Sequence, residues 1–169
     1  MISNEKEFLF VPITDELRID AYAFAKESGT YKKSLTNGER MEHSLICEKV
    51  VKDYLDAVRE NTYDYDLKYW DMRIDVKCNS VMTPPKVSTH YCIISGDNMT
   101  QACDLYVFCA ITTDLSKVWI IGWIRKEIFM KDSLSFESGF KFDTMPNPTK
   151  FKGRFVKAET INPISLIKI

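Results

Sequence analysis

Asp66, Asp75 and Lys77 fall within TYDYDLKYWDMRIDVKCN, residues 62–79, where apolar and polar side chains alternate with period two. Such alternation signals a pair of strands with one apolar and one charged face. With Trp70-Asp71 as a two-residue turn, Asp66 faces Asp75, Asp64 faces Lys77 and Lys68 faces Arg73. Tyr65, Leu67 and Tyr69 then meet Met72, Ile74 and Val76 on the other side. Neither Trp nor Asp readily takes the positive φ that tight hairpin turns favour, so the turn itself is an unusual one. Two carboxylates placed that close repel unless one is protonated or a cation lies between them. A hard divalent ion with oxygen ligands, such as Mg²⁺, answers that need. Lys77, two residues after Asp75, projects on the same face and could hold an attacking water or stabilise charge growing on phosphorus. The Val76 carbonyl is a further oxygen donor. The competing reading is a surface hairpin laced with charge pairs, Asp64 with Lys77 and Asp66 with Lys68 or Arg73, as exposed antiparallel faces often are.

A helix must supply anything more. From Asn37-Gly38 to about Arg59 the pattern has helical period, with Cys47, Val50, Val51, Tyr54, Leu55 and Val58 on one face and Lys49, Lys52, Asp53, Asp56 and Glu60 opposite. Glu48 lies at the edge of the apolar stripe, where its carboxylate borders the core and can reach the hairpin. Elsewhere, a short strand is expected over 8–11 and a helix over 15–28, ending near Gly29. A strand over 89–95 and a short helix or turn over 97–103 follow. Residues 105–111 and 118–124 are apolar, β-branched and aromatic runs of the kind that form strands buried on both faces. A short helix can open at 125–130, and the tail has Pro146, Pro148, Gly153 and an apolar segment at 161–169. One mixed sheet flanked by helices is the economical assembly, an α/β fold in a single domain of residues 1–169.

YDLKYWDMRIDVKCN resembles the core of the PD-(D/E)xK nuclease superfamily, in which an aspartate on one strand is followed across a hairpin by an acidic residue, an apolar residue and a lysine. Here these are Asp66 and then Asp75-Val76-Lys77. The resemblance spans roughly residues 37–130, with DLYVFCAI and VWIIGWIRKEIF similar to later strands of small phage and bacterial members, and more faintly the tail GRFVKAETINPISLI. It implies a restriction-endonuclease-like core with a central mixed β-sheet flanked by helices. It also implies a catalytic glutamate on the preceding helix, commonly after glycine. HSLICEKVVKDYL occupies that place, so Glu48 matches, although Cys47 stands where glycine is usual. Glu42, on the polar face, and Glu39, which follows Gly38, are the competing carboxylates. The implied activity is Mg²⁺-dependent DNA endonuclease chemistry, with Mn²⁺ able to substitute. Glu48, Asp66, Asp75 and the Val76 carbonyl would hold the ion, and Lys77 would orient or activate water. The alternative is a catalytically silent member that binds DNA or a protein. An exonuclease or junction resolvase is a third reading; it would call for oligomerisation, and a homodimer stays open.

Composition sets the remaining bounds. A net charge of −1 and a pI near 6.1 argue against a protein that coats nucleic acid non-specifically. The charge is uneven: residues 53–75 hold seven acids and three bases, and residues 141–169 hold six bases and two acids. The basic tail, Lys86, Arg125 and Lys126 are open both to a phosphate-contacting role and to that of ordinary solvated side chains. Five cysteines, an odd number without a C-x-x-C pair, read as reduced and mostly buried thiols. His43 and His90 lack zinc-ligand spacing. No apolar run approaches the roughly 20 residues of a membrane helix. The acidic start MISNEKEFLFVPITDE lacks the basic region of a signal peptide. The expectation is a cytoplasmic protein, in the host cytoplasm if phage-encoded.

Overall fold

The structure, a computed structural model, describes residues 8–26, 41–60, 62–96, 100–143 and 147–167. Gly29, Asn37, Gly38 and Glu39 lie outside these residues.

Strand β1 (Leu9–Pro12) leads into helix α1 (Asp15–Lys26). The Leu17 amide donates to Thr14 Oγ1 at 3.1 Å, so Thr14 caps the helix, and Asp15 and Glu16 place negative charge in its first turn. Helix α2 (Met41–Leu55) follows, then the short strand β2 (Val58–Arg59). The expected run of helix to Arg59 is cut short at Leu55. Asp56 takes φ 53°, and the Ala57 amide reaches back to the Lys52 carbonyl at 3.0 Å, a left-handed helix stop. Val58, expected on the apolar face, is therefore exposed; Tyr54, within α2, is exposed as well, whereas Leu45, Ile46, Cys47, Val50, Val51 and Leu55 are buried.

Strands β3 (Leu67–Tyr69) and β4 (Met72–Val81) form the expected hairpin, with Leu67 opposite Ile74, Lys68 opposite Arg73 and Tyr69 opposite Met72. Trp70 takes φ 53° to make the turn, at a cost of about 1 kcal/mol for a side chain in that region. Strand β5 (Tyr91–Ser95) begins the crossover to β6 (Leu105–Thr112), which runs parallel to β4. Of residues 97–103, expected in a short helix or turn, 97–99 lie outside the described residues, Thr100 has 3-10 geometry, and Gln101–Cys103 have no regular structure. Strand β7 (Lys117–Arg125) returns antiparallel to β6 and passes into helix α3 (Lys126–Asp132). Every residue of β6 is buried, as its unbroken apolar sequence requires.

Two short strands were not legible in the tail: β8 (Leu134–Phe136) and β9 (Gly153–Lys157). With β5 they form a second, antiparallel sheet in the order β5-β9-β8. The expected single sheet is thus two: the other has six strands in the order β1-β7-β6-β4-β3-β2 and is mixed. This is an α/β architecture with two cores. On one face of the six-stranded sheet, Ile74, Val76, Leu105, Val107 and Ile120 pack against α1 and α2. On the other, Tyr106, Phe108, Ile121 and Ile124 meet Phe129 of α3 and Cys92, Ile94 and Val156 of the second sheet. The tail closes over β7 at Gly122, where a Cβ would lie 2.2 Å from the Asn162 carbonyl oxygen. No helix among the described residues is long and apolar enough to cross a membrane.

Candidate functional site

Along β4, Ile74 and Val76 face the core under α2, and Asp75 and Lys77 face the opposite side. Their register partners on β6 are Tyr106 and Phe108, both wholly buried. The charged face of the hairpin is therefore not a solvated surface at this point. Asp75 is 4% exposed. Its Oδ2 lies 2.6 Å from Lys77 Nζ. The ammonium also stands 5.9 Å from the centre of the Tyr106 ring, within cation–π range.

Asp66 reaches this site by leaving the ladder. Its amide donates to the Ile74 carbonyl at 2.9 Å, one position off the hairpin register, so Asp66 does not sit squarely opposite Asp75. Its carboxylate instead fills the gap in the ladder: Oδ2 accepts the Val76 amide at 2.7 Å. The Val76 carbonyl leaves the strand on the same side as its amide, toward Asp66. Beyond the slip, Tyr65 packs with the second core, not with the apolar face of the hairpin.

Glu48 comes from α2 with only 9% exposure, beside the core as its helical position implied. Arg59 of β2 donates to its Oε2 at 3.4 Å. Arg59 was not foreseen, because the helical pattern appeared to run through it; only the stop at Asp56 turns it back toward Glu48. Glu42 is engaged elsewhere, by Arg18 of α1 at 3.1 Å. The expected pairing of Asp64 with Lys77 does not form. Asp64 Oδ1 accepts the Ala102 amide at 3.0 Å. Nor does Arg73 turn to Asp66: it pairs with Asp104 at 2.8 Å.

The segment before β6 supplies a second unforeseen contact. Gln101 Oε1 accepts from Lys77 Nζ at 3.3 Å, and Gln101 Nε2 donates to the Tyr63 carbonyl at 3.1 Å. The Lys126 ammonium donates to the Gln101 carbonyl, so this lysine, left open between structure and phosphate contact, is holding the segment. A glutamine far along the chain carries no spacing signal. Lys86 and Arg125 are exposed.

The electrostatics follow from burial. Glu48 is pushed up to about 7, first by burial and against the pull of Arg59, with Asp75 adding repulsion. Asp66 is raised well above the usual carboxylate range by burial and then by the Glu48 and Asp75 charges. Burial disfavours the Lys77 ammonium, but Asp75 and Asp66 outweigh it and leave the lysine more firmly protonated than usual. Three carboxylates thus share a buried site with two cations, Lys77 and Arg59. Like charges about 5 Å apart cost roughly 3 kcal/mol at an effective dielectric near 20. A typical hydrogen bond contributes only about 1 kcal/mol net. Charge balance, not hydrogen bonding, decides the state of this site. It is reached by retaining protons or by adding positive charge.

The donor set is all oxygen and carries excess negative charge, the chemistry that suits a hard divalent cation. Glu48, Asp66 and Asp75 are the carboxylates that would have to converge on one, with the Val76 carbonyl beside them. As they stand, these carboxylates are engaged by Arg59, the Val76 amide and Lys77. Among the described residues, no group of three or more His, Cys, Asp or Glu side chains forms a ready-made metal site. All five cysteines are free thiols, and only Cys78 among them is not fully buried. No family model matches the chain, and no curated protein shows significant similarity to it.

Proposed function

We propose that the chain is a Mg²⁺-dependent deoxyribonuclease that hydrolyses phosphodiester bonds on a restriction-endonuclease-like core. One observation carries the reading: Glu48, Asp66 and Asp75 form a buried excess of carboxylate around Lys77. An isolated structural ion pair has no use for a third acid, and each further buried charge destabilises the fold. In this reading Glu48, Asp66, Asp75 and the Val76 carbonyl hold Mg²⁺, or Mn²⁺ in its place. The bound ion would supply Lewis-acid stabilisation of the phosphate and a more acidic water. Lys77 stays cationic at neutral pH, so its role is to donate: it orients the attacking water and offsets charge developing on the phosphate oxygens. Gln101 limits the swing of the Lys77 ammonium, and Arg59 holds Glu48.

The second reading is a catalytically silent module of the same fold that binds DNA or a protein. The absence of a ready-made ligand group among the described residues favours it. Supercoiled, linear duplex, single-stranded and branched DNA, with RNA alongside, should be incubated with Mg²⁺, Mn²⁺ or chelator. Metal-dependent cleavage that disappears in Asp75→Ala and Lys77→Ala is the expected result. Cleavage that persists in both variants would remove these residues from the chemistry. Mn²⁺ titrated calorimetrically into wild type but not into Asp75→Ala separates metal binding from turnover; no heat with wild type favours the silent module.

A further inference from the structure

The seam between α2 and β4 brings two thiols into contact. Cys47 Sγ and Cys78 Sγ are 3.0 Å apart. Cys47 is wholly buried, and Cys78 is partly exposed. One layer along the same seam, His43 Nδ1 meets Ser80 Oγ at 2.9 Å, so the helix and strand also meet beside the sulfur contact. A disulfide needs its sulfurs about 2.05 Å apart, roughly 1 Å closer than these. Cys109, the register partner of Cys78 on β6, also hydrogen-bonds the Cys47 thiol but is buried without exposure to solvent, so only Cys78 is open to an oxidant. The three thiols do not count as a soft-metal site, since no such group occurs among the described residues.

We propose that Cys47 and Cys78 are an oxidisable dithiol, a modification site that locks α2 to β4. Cys47 immediately precedes Glu48, and Cys78 immediately follows Lys77, so the bond would tie together the two elements that carry the buried charges. The oxidant is a peroxide. The partly exposed Cys78 sulfur attacks the O–O bond, giving a sulfenic acid and releasing water. The Cys47 sulfur then displaces that hydroxyl, which leaves as a second water, and the S–S bond forms. Two thiols lose two electrons and two protons, and one peroxide becomes two waters. The step is independent of whether the carboxylates cleave phosphodiesters.

The test treats the full chain with limiting hydrogen peroxide, blocks free thiols after denaturation, and maps the digested peptides by mass spectrometry before and after dithiothreitol. A linked pair of peptides containing Cys47 and Cys78, released by dithiothreitol, is expected. Its absence in Cys78→Ala should leave Cys47 and Cys109 as free thiols. A Cys47–Cys109 or Cys78–Cys109 link, a sulfinic acid at Cys78 beside a reduced Cys47, or thiols untouched by excess peroxide would each overturn the proposal. If the variant does not fold, the wild-type map decides alone. Amide exchange in α2 should slow on oxidation and recover on reduction; unchanged exchange would refute the locking of the helix to the strand.

Discussion

Two ion pairs two residues apart on β4 behave in opposite ways. Arg73 meets Asp104 through Nε at 3.0 Å and a terminal nitrogen at 2.8 Å, and the Arg73 amide adds a third bond at 2.7 Å. Its side chain is 42% exposed, that of Asp104 34%. One acid faces one base, and the Arg73 hydrogen bond holds the Asp104 carboxyl below its usual range. At Asp75–Lys77 the side chains are 5% and 18% exposed, and Glu48 and Asp66 crowd the pair. Here the Glu48 and Asp66 carboxyls are pushed upward, by burial first. The Arg73 pair has better hydrogen-bond geometry yet contributes little, because water screens it. The Asp75 pair has an unbalanced set of charges in a low-dielectric site. That is a costly arrangement for stability alone and a useful one for handling a cation or a phosphate.

The contrast can be broken most sharply through activity. If the chain is the proposed nuclease, Asp75→Ala or Lys77→Ala should lower Mg²⁺-dependent DNA cleavage by about 10²–10³-fold or more, whereas Arg73→Ala should keep cleavage close to wild type. Initial rates of plasmid relaxation read both. Equal losses in all three would mean that the two pairs do not differ as argued. Stability should separate them next. Lys77→Met leaves Asp75 without its partner and should cost about 3–5 kcal/mol, against at most about 1 kcal/mol for Arg73→Met. Urea denaturation with chelator present measures each.

A pH profile sharpens the charge argument. Glu48 sits near 7 in the folded chain against an ordinary 4.5, so between those values the folded state binds more protons than the unfolded one. Stability from this group is full below about pH 4.5 and is lost as pH rises through 7. The loss can reach about 3 kcal/mol, at 1.36 kcal/mol per pH unit. The metal-free protein should therefore weaken between pH 5 and 7.5 in thermal melts, and Glu48→Gln should flatten that slope. The smallest effect is local to the hairpin that carries both pairs. Trp70→Gly relieves the left-handed backbone and should stabilise by up to about 1 kcal/mol, seen as a small rise in the denaturation midpoint.

The alternation of residues 62–79 was enough to give the register of Leu67 with Ile74 and Lys68 with Arg73, since a one-residue slip would expose the whole apolar face. The unbroken apolar runs likewise read as buried strands. The second sheet was not readable, because β8 and β9 are three and five residues long and are defined by partners far away in the chain. The same limit hid Arg59 behind a helix stop made by an aspartate and hid Gln101 in an irregular segment.

For the site itself, the sequence alone determined which side chains share a face of β4 and that Glu48 borders the core, because both follow from local periodicity. It put Asp66 opposite Asp75 and left the charged face open to two readings, a cation site or a solvated surface. Only the tertiary structure decided that the strand slips at Asp66, that Tyr106 and Phe108 lie beside the charges, and that Glu42 belongs to Arg18 while Glu48 meets Arg59. Burial and charge balance are properties of the assembled layers. No single segment carries them, and they are what separates Asp75–Lys77 from Arg73–Asp104 on the same strand.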